Sequence, residues 1–120
     1  MPTVNRISDS AIVAALGRQL NRSVARQQVA ASNLANIDTP GYRALDVKFS
    51  QTLDARLQSP ESDAPLVSET AGVTVRRDGN SVQLDRELLT MTRAAGDFNA
   101  AQTALAAKFR LVRYAINEGR

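Results

Sequence analysis

The stretch LDRELLTMTRAAGDFNAAQTALAAKFRLVRYAI, residues 84–116, decides the fold. Within it, apolar or small residues recur at alternating steps of four and three residues, and only Gln102 in the series is polar. A period of 3.5 residues is typical of a helix that packs along another helix in a left-handed supercoil. We therefore predict a long C-terminal helix with one packing side. The residues that carry the repeat are Leu84, Leu88, Met91, Ala95, Phe98, Gln102, Leu105, Phe109, Val112 and Ile116.

A second helix is predicted near the N-terminus, from about Ser8 to Asn36. Ser8, Asp9 and Ser10 offer side-chain oxygens that can cap its first turn. Apolar or small residues follow at steps of three and four, although two of the positions are polar, so this packing side is less regular than the C-terminal one. Its members are Val13, Leu16, Leu20, Ser23, Gln27, Ala30, Leu34 and Ile37.

The first helix is predicted to stop at a proline-glycine turn. Pro40 disfavours helical geometry at the residue before it. Residues 39–42 match a type II turn, in which Gly41 supplies a positive φ. Asn33 and Asn36 stand near the helix end, where their amides can bond to carbonyls that the break leaves free, and the ring of Tyr42 can cover the junction. The segment is thus interpreted first as a stop-and-turn signal.

The middle of the chain predicts only short elements. Residues 46–49 alternate like a strand, but Phe49, Leu53 and Leu57 have the spacing of a short helix, which we favour. Two prolines and three acids in residues 59–72 predict a flexible or extended loop. Residues 73–76 are predicted as a short strand and residues 78–80 as a turn.

The expected organisation follows from these elements. Residues 1–36 form an N-terminal helix, residues 37–83 an irregular middle region with minor β and turn structure, and residues 84–120 the C-terminal helix. The middle region is long enough to reverse the chain, so the fold class is mainly α, with the two long helices as an antiparallel, coiled-coil-like pair.

The apolar sides of these helices must be covered by something. Most of the stability of an amphipathic helix comes from packing its apolar side, and each large side chain that is fully buried contributes roughly 1.5–3 kcal/mol. A pair of helices still leaves apolar flanks. The middle region could cover them, or neighbouring subunits could, and a head-to-tail contact that does not close would then build a helical filament.

Composition excludes several functional classes. The chain has no cysteine and no histidine, so disulfides, thiolate metal sites and Cys or His nucleophile–base pairs are ruled out. No serine stands in a G-x-S-x-G setting, and the acids are scattered without metal-ligand spacing. We predict no catalytic, metal or cofactor-binding residue, and a protein that is not an enzyme.

A basic nucleic-acid-binding module is the alternative from another class. The net charge is +3 and the sequence pI is about 10.0, and Arg18, Arg22 and Arg26 form one stripe at helical spacing that could meet phosphates. The chain offers neither a recognition-helix motif nor an aromatic platform, so we favour arginines that flank the apolar sides and keep them soluble.

No cleaved signal or membrane span is expected. The one apolar run near the N-terminus, residues 11–16, is shorter than the roughly 7–15 residues of a signal-peptide core. Nothing approaches the ~20 apolar residues of a spanning helix.

Residues 31–42, ASNLANIDTPGY, closely resemble the ASN(I/L)AN-x-x-TPGY signature of bacterial flagellar rod and hook proteins. Residues 43–49, RALDVKF, and 79–87, GNSVQLDRE, resemble segments of the short proximal rod subunits of that family. One departure is Ile37, where the family often has a small residue. The motif residues are Ser32, Asn33, Ala35, Asn36, Thr39, Pro40, Gly41 and Tyr42.

The resemblance implies a structural subunit of the proximal rod, or of another short rod protein of the family. Such subunits pass through the flagellar type III export channel without a cleaved signal and lie in the periplasmic part of the basal body. The implied partners are other rod proteins, copies of the chain itself, the basal adaptor FliE, the export gate and the MS ring, with no nucleic acid and no membrane insertion.

Overall fold

A computed structural model describes residues 9–49 and 66–118 of the protein. Helix α1 spans Asp9–Ala35, strand β1 Leu45–Lys48, strand β2 Leu66–Glu69 and helix α2 Leu84–Glu118. The predicted fold class is confirmed: two long helices enclose a short middle region that contains a two-stranded antiparallel sheet.

The helices run antiparallel along most of α1. At one end Lys108 forms an ion pair with Asp9, and at the other the side chain of Asn33 bonds to that of Glu87. These two contacts fix the register of the pair. Because Lys108 already lies beside the start of α1, the last ten residues of α2 project beyond it by about 15 Å.

Small side chains form the line of contact between the helices. Ser23 and Ala30 are buried on α1, and Ala94 and Ala101 are buried on α2, each pair seven residues apart. The Ser23 hydroxyl donates to the carbonyl of Gln19 within its own helix, so burying it leaves no unpaired group. Small residues let the two backbones approach closely, and the core is correspondingly thin.

The packing side of α2 differs from a simple reading of its heptad repeat. The most buried positions, Glu87, Ala94 and Ala101, each come one residue before a predicted position: Leu88, Ala95 and Gln102. Met91, Phe98 and Leu105 are half-buried at the edge of the contact, whereas Leu84, Leu88, Phe109, Val112 and Ile116 are exposed. On α1, Val13, Leu16, Leu20 and Leu34 are half-buried.

The reason lies in side-chain size. Periodicity locates the side of a helix with the largest apolar residues, but close contact between two helices requires the smallest ones. Helix α1 therefore packs against the alanine side of α2. The large apolar residues of α2 lie at the edge of this contact and along its projecting end.

The middle region corrects two predictions. Residues 73–76, predicted as a strand, are irregular, and strand β2 lies instead within the segment predicted as a loop. β2 pairs with β1 in the register Leu45↔Glu69 to Lys48↔Leu66. Pairing with a distant segment decided this strand, and local composition does not reveal such pairing. The helix favoured for residues 49–57 falls almost wholly outside the described residues.

In the described ranges 9–49 and 66–118, neither helix is long and apolar enough to cross a membrane.

Candidate functional site: an interlock and an uncovered helix end

The motif segment folds into the tight turn that its sequence predicts. Gly41 has φ 76°, and the Tyr42 N–H donates to the Thr39 carbonyl at 3.2 Å. Just before the turn, the Asn36 amide donates to the Ser32 carbonyl at 2.8 Å, and the Thr39 hydroxyl donates to the Asn36 side-chain oxygen at 3.1 Å. The Asn36 side chain therefore adds a second hydrogen bond to the Ser32 carbonyl, which also accepts the Asn36 backbone N–H at 3.2 Å.

Asn80, from the segment before α2, holds this turn from outside. Its side chain is fully buried and donates to the carbonyls of Asn36 and Thr39, both at 2.8 Å. Its side-chain oxygen accepts from the Val82 N–H at 2.7 Å. One asparagine thereby connects the end of the first helix to the approach of the second. We call residues 33–45 and 76–82 together the interlock.

Two backbone–backbone hydrogen bonds and one backbone–side-chain hydrogen bond complete the connection. The Gly41 N–H donates to the Asp78 carbonyl at 2.7 Å, and the Ser81 N–H donates to the Tyr42 carbonyl at 3.0 Å. The Ala44 N–H donates to the hydroxyl of Ser81 at 2.7 Å, inside the protein. The two segments are thus bonded along their length, although about 40 residues separate them.

The interlock also explains why glycine occupies positions 41 and 79. Gly79 has φ 84°, a region that other residues rarely adopt. A Cβ placed on it would lie 3.2 Å from the Cα of Gly41. The two turns touch through their backbones, so Gly79 is constrained both by its φ and by the space available.

Asn33 does not cap the helix, contrary to its predicted role. Its fully buried side chain bonds to both backbone groups of Leu45: its amide donates to the Leu45 carbonyl at 2.8 Å, and its oxygen accepts the Leu45 N–H at 3.0 Å. The Tyr42 hydroxyl donates to the same oxygen at 3.1 Å. The Asn33 side chain thus makes the pair of hydrogen bonds that a neighbouring strand would make with Leu45, and it fixes the start of β1 against α1.

Glu87 lies against this asparagine in the first turn of α2. Only 3% of it is exposed, and burial raises the pKa of its carboxyl, while the hydrogen bond with Asn33 and the charge of Arg86 act in the opposite direction. Asp46, which faces it across the groove beside β1, raises the pKa further.

The sequence identified the motif residues but not the residues near the start of α2 that bond to them. Ser32, Ala35, Thr39 and Pro40 are exposed, whereas Asn33 is buried. Asn80, Ser81 and Glu87 were not predicted as site residues. A signal was available, because polar Asn80 and Ser81 stand between a turn glycine and a valine directly before the helix.

The arginine stripe is partly used in packing. The guanidinium groups of Arg22 and Arg26 each lie 5.0 Å from the centre of the Phe49 ring. A cation over a ring at this distance is attracted to the ring face. Two of the three arginines proposed for phosphate contact thus hold the residue that follows β1.

The second candidate site is the apolar surface that α2 leaves uncovered. Its projecting end, which we call the tip, exposes 43–67% of Phe109, Leu111, Val112, Tyr114 and Ile116. Its first two turns, the base patch, expose about half of Leu84, Leu88 and Leu89. Apolar residues on every side of a helix end are typical of a segment that packs in an assembly.

Comparison with known proteins connects these features to a family. The sequence model described as "Flagella basal body rod protein" matches residues 16–43, which include the motif half of the interlock. A flagellar basal body rod protein FlgB of Bacillus subtilis is 28% identical over 88% of this chain and 92% of its own length. Proteins of the same name from Escherichia coli and Aeromonas hydrophila are 32% and 37% identical.

The last two alignments cover only 65% and 59% of those relatives' lengths. The Bacillus alignment reaches both sides of the interlock and both helices, since it takes in most of each chain. The motif segment is matched by the family model and these relatives all bear one name, so this chain is similar to flagellar basal body rod proteins.

Proposed function

We propose that this protein is a structural subunit of the flagellar basal-body rod, which co-assembles with other rod proteins and with copies of itself and catalyses no reaction. The observation that carries the proposal is the division of α2. Its alanine side is buried against α1, while eight large apolar residues along its base and tip remain exposed. Together these side chains represent on the order of 10 kcal/mol of burial that a neighbour could supply.

The interlock supports the same role mechanically. A subunit in a rotating shaft must keep the angle between its chain segments. Buried hydrogen bonds from Asn33 and Asn80 fix where α1 ends and where α2 begins. Identical geometry in every copy is a condition for regular assembly.

The finer assignment concerns place and neighbours. We propose a position in the proximal, periplasmic rod, reached through the flagellar type III export channel without a cleaved signal. The neighbours at the base would be the adaptor FliE, the export gate and the MS ring. The resemblance of residues 43–49 and 79–87 to the short proximal subunits supports this placement.

The test is a deletion strain of the source bacterium, complemented with the wild-type gene or with a gene encoding Leu111→Ser/Tyr114→Ser. We expect the deletion to abolish swimming, the wild-type chain to restore it, and the chain to be found by mass spectrometry in purified basal bodies. The tip variant should be made at normal levels but restore little swimming. Normal motility of the deletion strain, with the chain absent from basal bodies, would contradict the proposal.

A further inference from the structure

We propose that the peptide link between Asp78 and Gly79 is a site of spontaneous isoaspartate formation, which the closed interlock protects and which, once formed, prevents the interlock from closing. The inference concerns a covalent change within the chain and does not depend on the proposed function. Residues 78–79 are the one place in the sequence where an aspartate or asparagine is followed by glycine. Glycine has no Cβ to hinder its own backbone nitrogen, so this pair reacts readily wherever the chain is free to rotate.

The reaction needs water and no other partner. The backbone nitrogen of Gly79 attacks the side-chain carbon Cγ of Asp78, and the amide hydrogen and the hydroxyl of the protonated carboxyl group leave as water. A succinimide ring results. If water then breaks the new C–N bond, aspartate returns. If it breaks the original peptide bond, the main chain runs through Cβ and Cγ as isoaspartate, and the mass of the protein is unchanged.

The closed interlock engages both reacting groups elsewhere. The Gly79 N–H donates to the Arg76 carbonyl at 2.9 Å, so the nitrogen that must attack has its hydrogen held by another group. The Asp78 side-chain oxygen accepts from the Asn80 N–H at 3.0 Å. The same oxygen lies 3.8 Å from Nε of Arg76. Ring closure therefore requires the carboxyl group and the amide to leave these partners.

Hydrogen bonding, and not burial, provides the protection. The Asp78 side chain is exposed, so water reaches it in the folded protein. The peptide plane between Asp78 and Gly79 is bonded at both ends, because its carbonyl accepts from the Gly41 N–H at 2.7 Å and its N–H donates to the Arg76 carbonyl. Rotation of this plane toward the side chain breaks both bonds.

The product does not fit the interlock. Isoaspartate adds one methylene carbon to the main chain, a bond length of about 1.5 Å, and turns the carbonyl that receives the Gly41 N–H into a free carboxylate. Asn80 follows directly, and its buried side chain donates to the Asn36 and Thr39 carbonyls at 2.8 Å each. A displacement of this size exceeds the range of a hydrogen bond. Isomerisation and a closed interlock therefore exclude each other.

The consequence is a chemical limit on how long the chain can remain open. A chain that closes promptly keeps its aspartate. A chain that stays open accumulates isoaspartate and loses the contact that joins the end of α1 to the approach of α2.

The first test compares rates of isomerisation. Wild-type protein is incubated at neutral pH in buffer and in urea, and isoaspartate at Asp78 is quantified by electron-transfer mass spectrometry, which distinguishes the two isomers at equal mass. We expect the rate in buffer to be lower than the rate in urea by about tenfold or more, because the reaction must wait for local opening of the interlock. Equal rates would overturn the proposal.

Matched variants open the interlock without changing the reacting pair. Asn80→Ala removes the side chain that holds the turn after α1, and Asn99→Ala at an exposed position of α2 is the control. With each rate divided by that of the same variant in urea, we expect Asn80→Ala to lose most of the protection and Asn99→Ala to keep it.

A milder variant decides the result if Asn80→Ala does not fold. Ser81→Ala removes the hydroxyl that accepts the Ala44 N–H and should lose part of the protection. Folding of each variant is checked by circular dichroism. Undiminished protection in a folded interlock variant would overturn the proposal.

The second test asks whether the isomerised chain can close. Wild-type protein is aged in urea, the aspartate and isoaspartate forms are separated by ion exchange, and each is returned to buffer. Hydrogen exchange at the amides of Gly41 and Ala44, which are bonded across the interlock, should be slow in the aspartate form and fast in the isoaspartate form. Equal protection in the two forms would show that the interlock tolerates the longer main chain and would contradict the proposal.

Discussion

The two ends of the helix pair differ in how completely one chain satisfies them. At the interlock, Asn33, Asn80 and Ser81 are buried and bonded to backbone groups of the same molecule. At the tip of α2, large apolar side chains are exposed on all sides. The difference teaches that one end is satisfied by hydrogen bonds within the described residues, whereas the other leaves its large apolar side chains exposed there. Substitutions at the first should change folding stability, and substitutions at the second should change association.

Asn80→Ala should have the largest effect. It removes the donors to the Asn36 and Thr39 carbonyls and the acceptor for the Val82 N–H. Since each unsatisfied buried group costs about 1–3 kcal/mol, we expect a loss of about 3 kcal/mol in the free energy of unfolding, measured by urea denaturation. Asn99→Ala, at an exposed position of α2, is the matched control and should change stability by less than about 0.5 kcal/mol. Equal effects of the two substitutions would show that the interlock does not hold the fold.

Ala101→Leu should come next, because it forces a large side chain into the narrow contact between the helices. Ala101 is 4% exposed, and overpacking of a close contact typically costs about 1–3 kcal/mol. Ala107→Leu, on the exposed side of the same helix, controls for helix propensity and added hydrophobicity. A tolerated Leu at position 101, seen as an unchanged urea midpoint, would mean that the helices do not meet along their alanines.

Gly79→Ala tests the contact between the two turns. Gly72 has a similar positive φ of 72° but no neighbour within 4 Å of an added Cβ. Gly72→Ala should therefore cost only the backbone penalty, about 1–2 kcal/mol. Gly79→Ala should cost about 1 kcal/mol more, because the new Cβ presses on Gly41. The difference in urea midpoint between the two variants measures how closely the backbones of Gly79 and Gly41 approach each other. Equal midpoints would show that the two turns do not touch at this position.

Glu87 predicts a smaller, pH-dependent effect. Its folded pKa is raised above the ordinary value of 4.5, so the native state holds its proton more tightly than the unfolded chain does. The contribution of Glu87 to the stability of the wild-type chain should therefore be most favourable below pH 4.5. It should become less favourable as the pH rises from there through the folded pKa.

Glu87→Gln should flatten that part of the pH profile, because a neutral amide keeps the shape and can still bond to Asn33. The measurement is urea unfolding between pH 4 and 8, with Glu118→Gln at an exposed position as the control. An unchanged slope in the Glu87 variant would assign the dependence to another group.

The smallest effect on folding is expected at the tip. Ile116→Ser alters a side chain that is 67% exposed, so the unfolding free energy of the monomer should change by less than about 0.5 kcal/mol. Its effect on sedimentation of the assembled protein should be far larger. A strongly destabilised monomer would mean that the tip is already packed within its own chain.

The sequence predicted most of the architecture because the signals are local. Alternating steps of four and three residues identified both helices, and Pro40 with Gly41 identified the turn after α1. Strand β2 was missed because β1, its partner among the described residues, is distant in the chain. Which side of α2 packs against α1 was also beyond reach, since periodicity marks large apolar residues such as Leu88 and Phe109, whereas close packing uses Ala94 and Ala101.

By itself, the sequence determined two long helices, a fixed turn between them and a motif typical of flagellar rod and hook proteins, because helix periodicity and proline–glycine geometry act over a few residues. Only the tertiary structure decided that Asn80 closes over the end of α1, and that the alanine side of α2 is used internally while its large residues remain free. Those choices depend on how closely two backbones can approach and on which buried polar groups can find partners, and neither property belongs to any single segment of the chain.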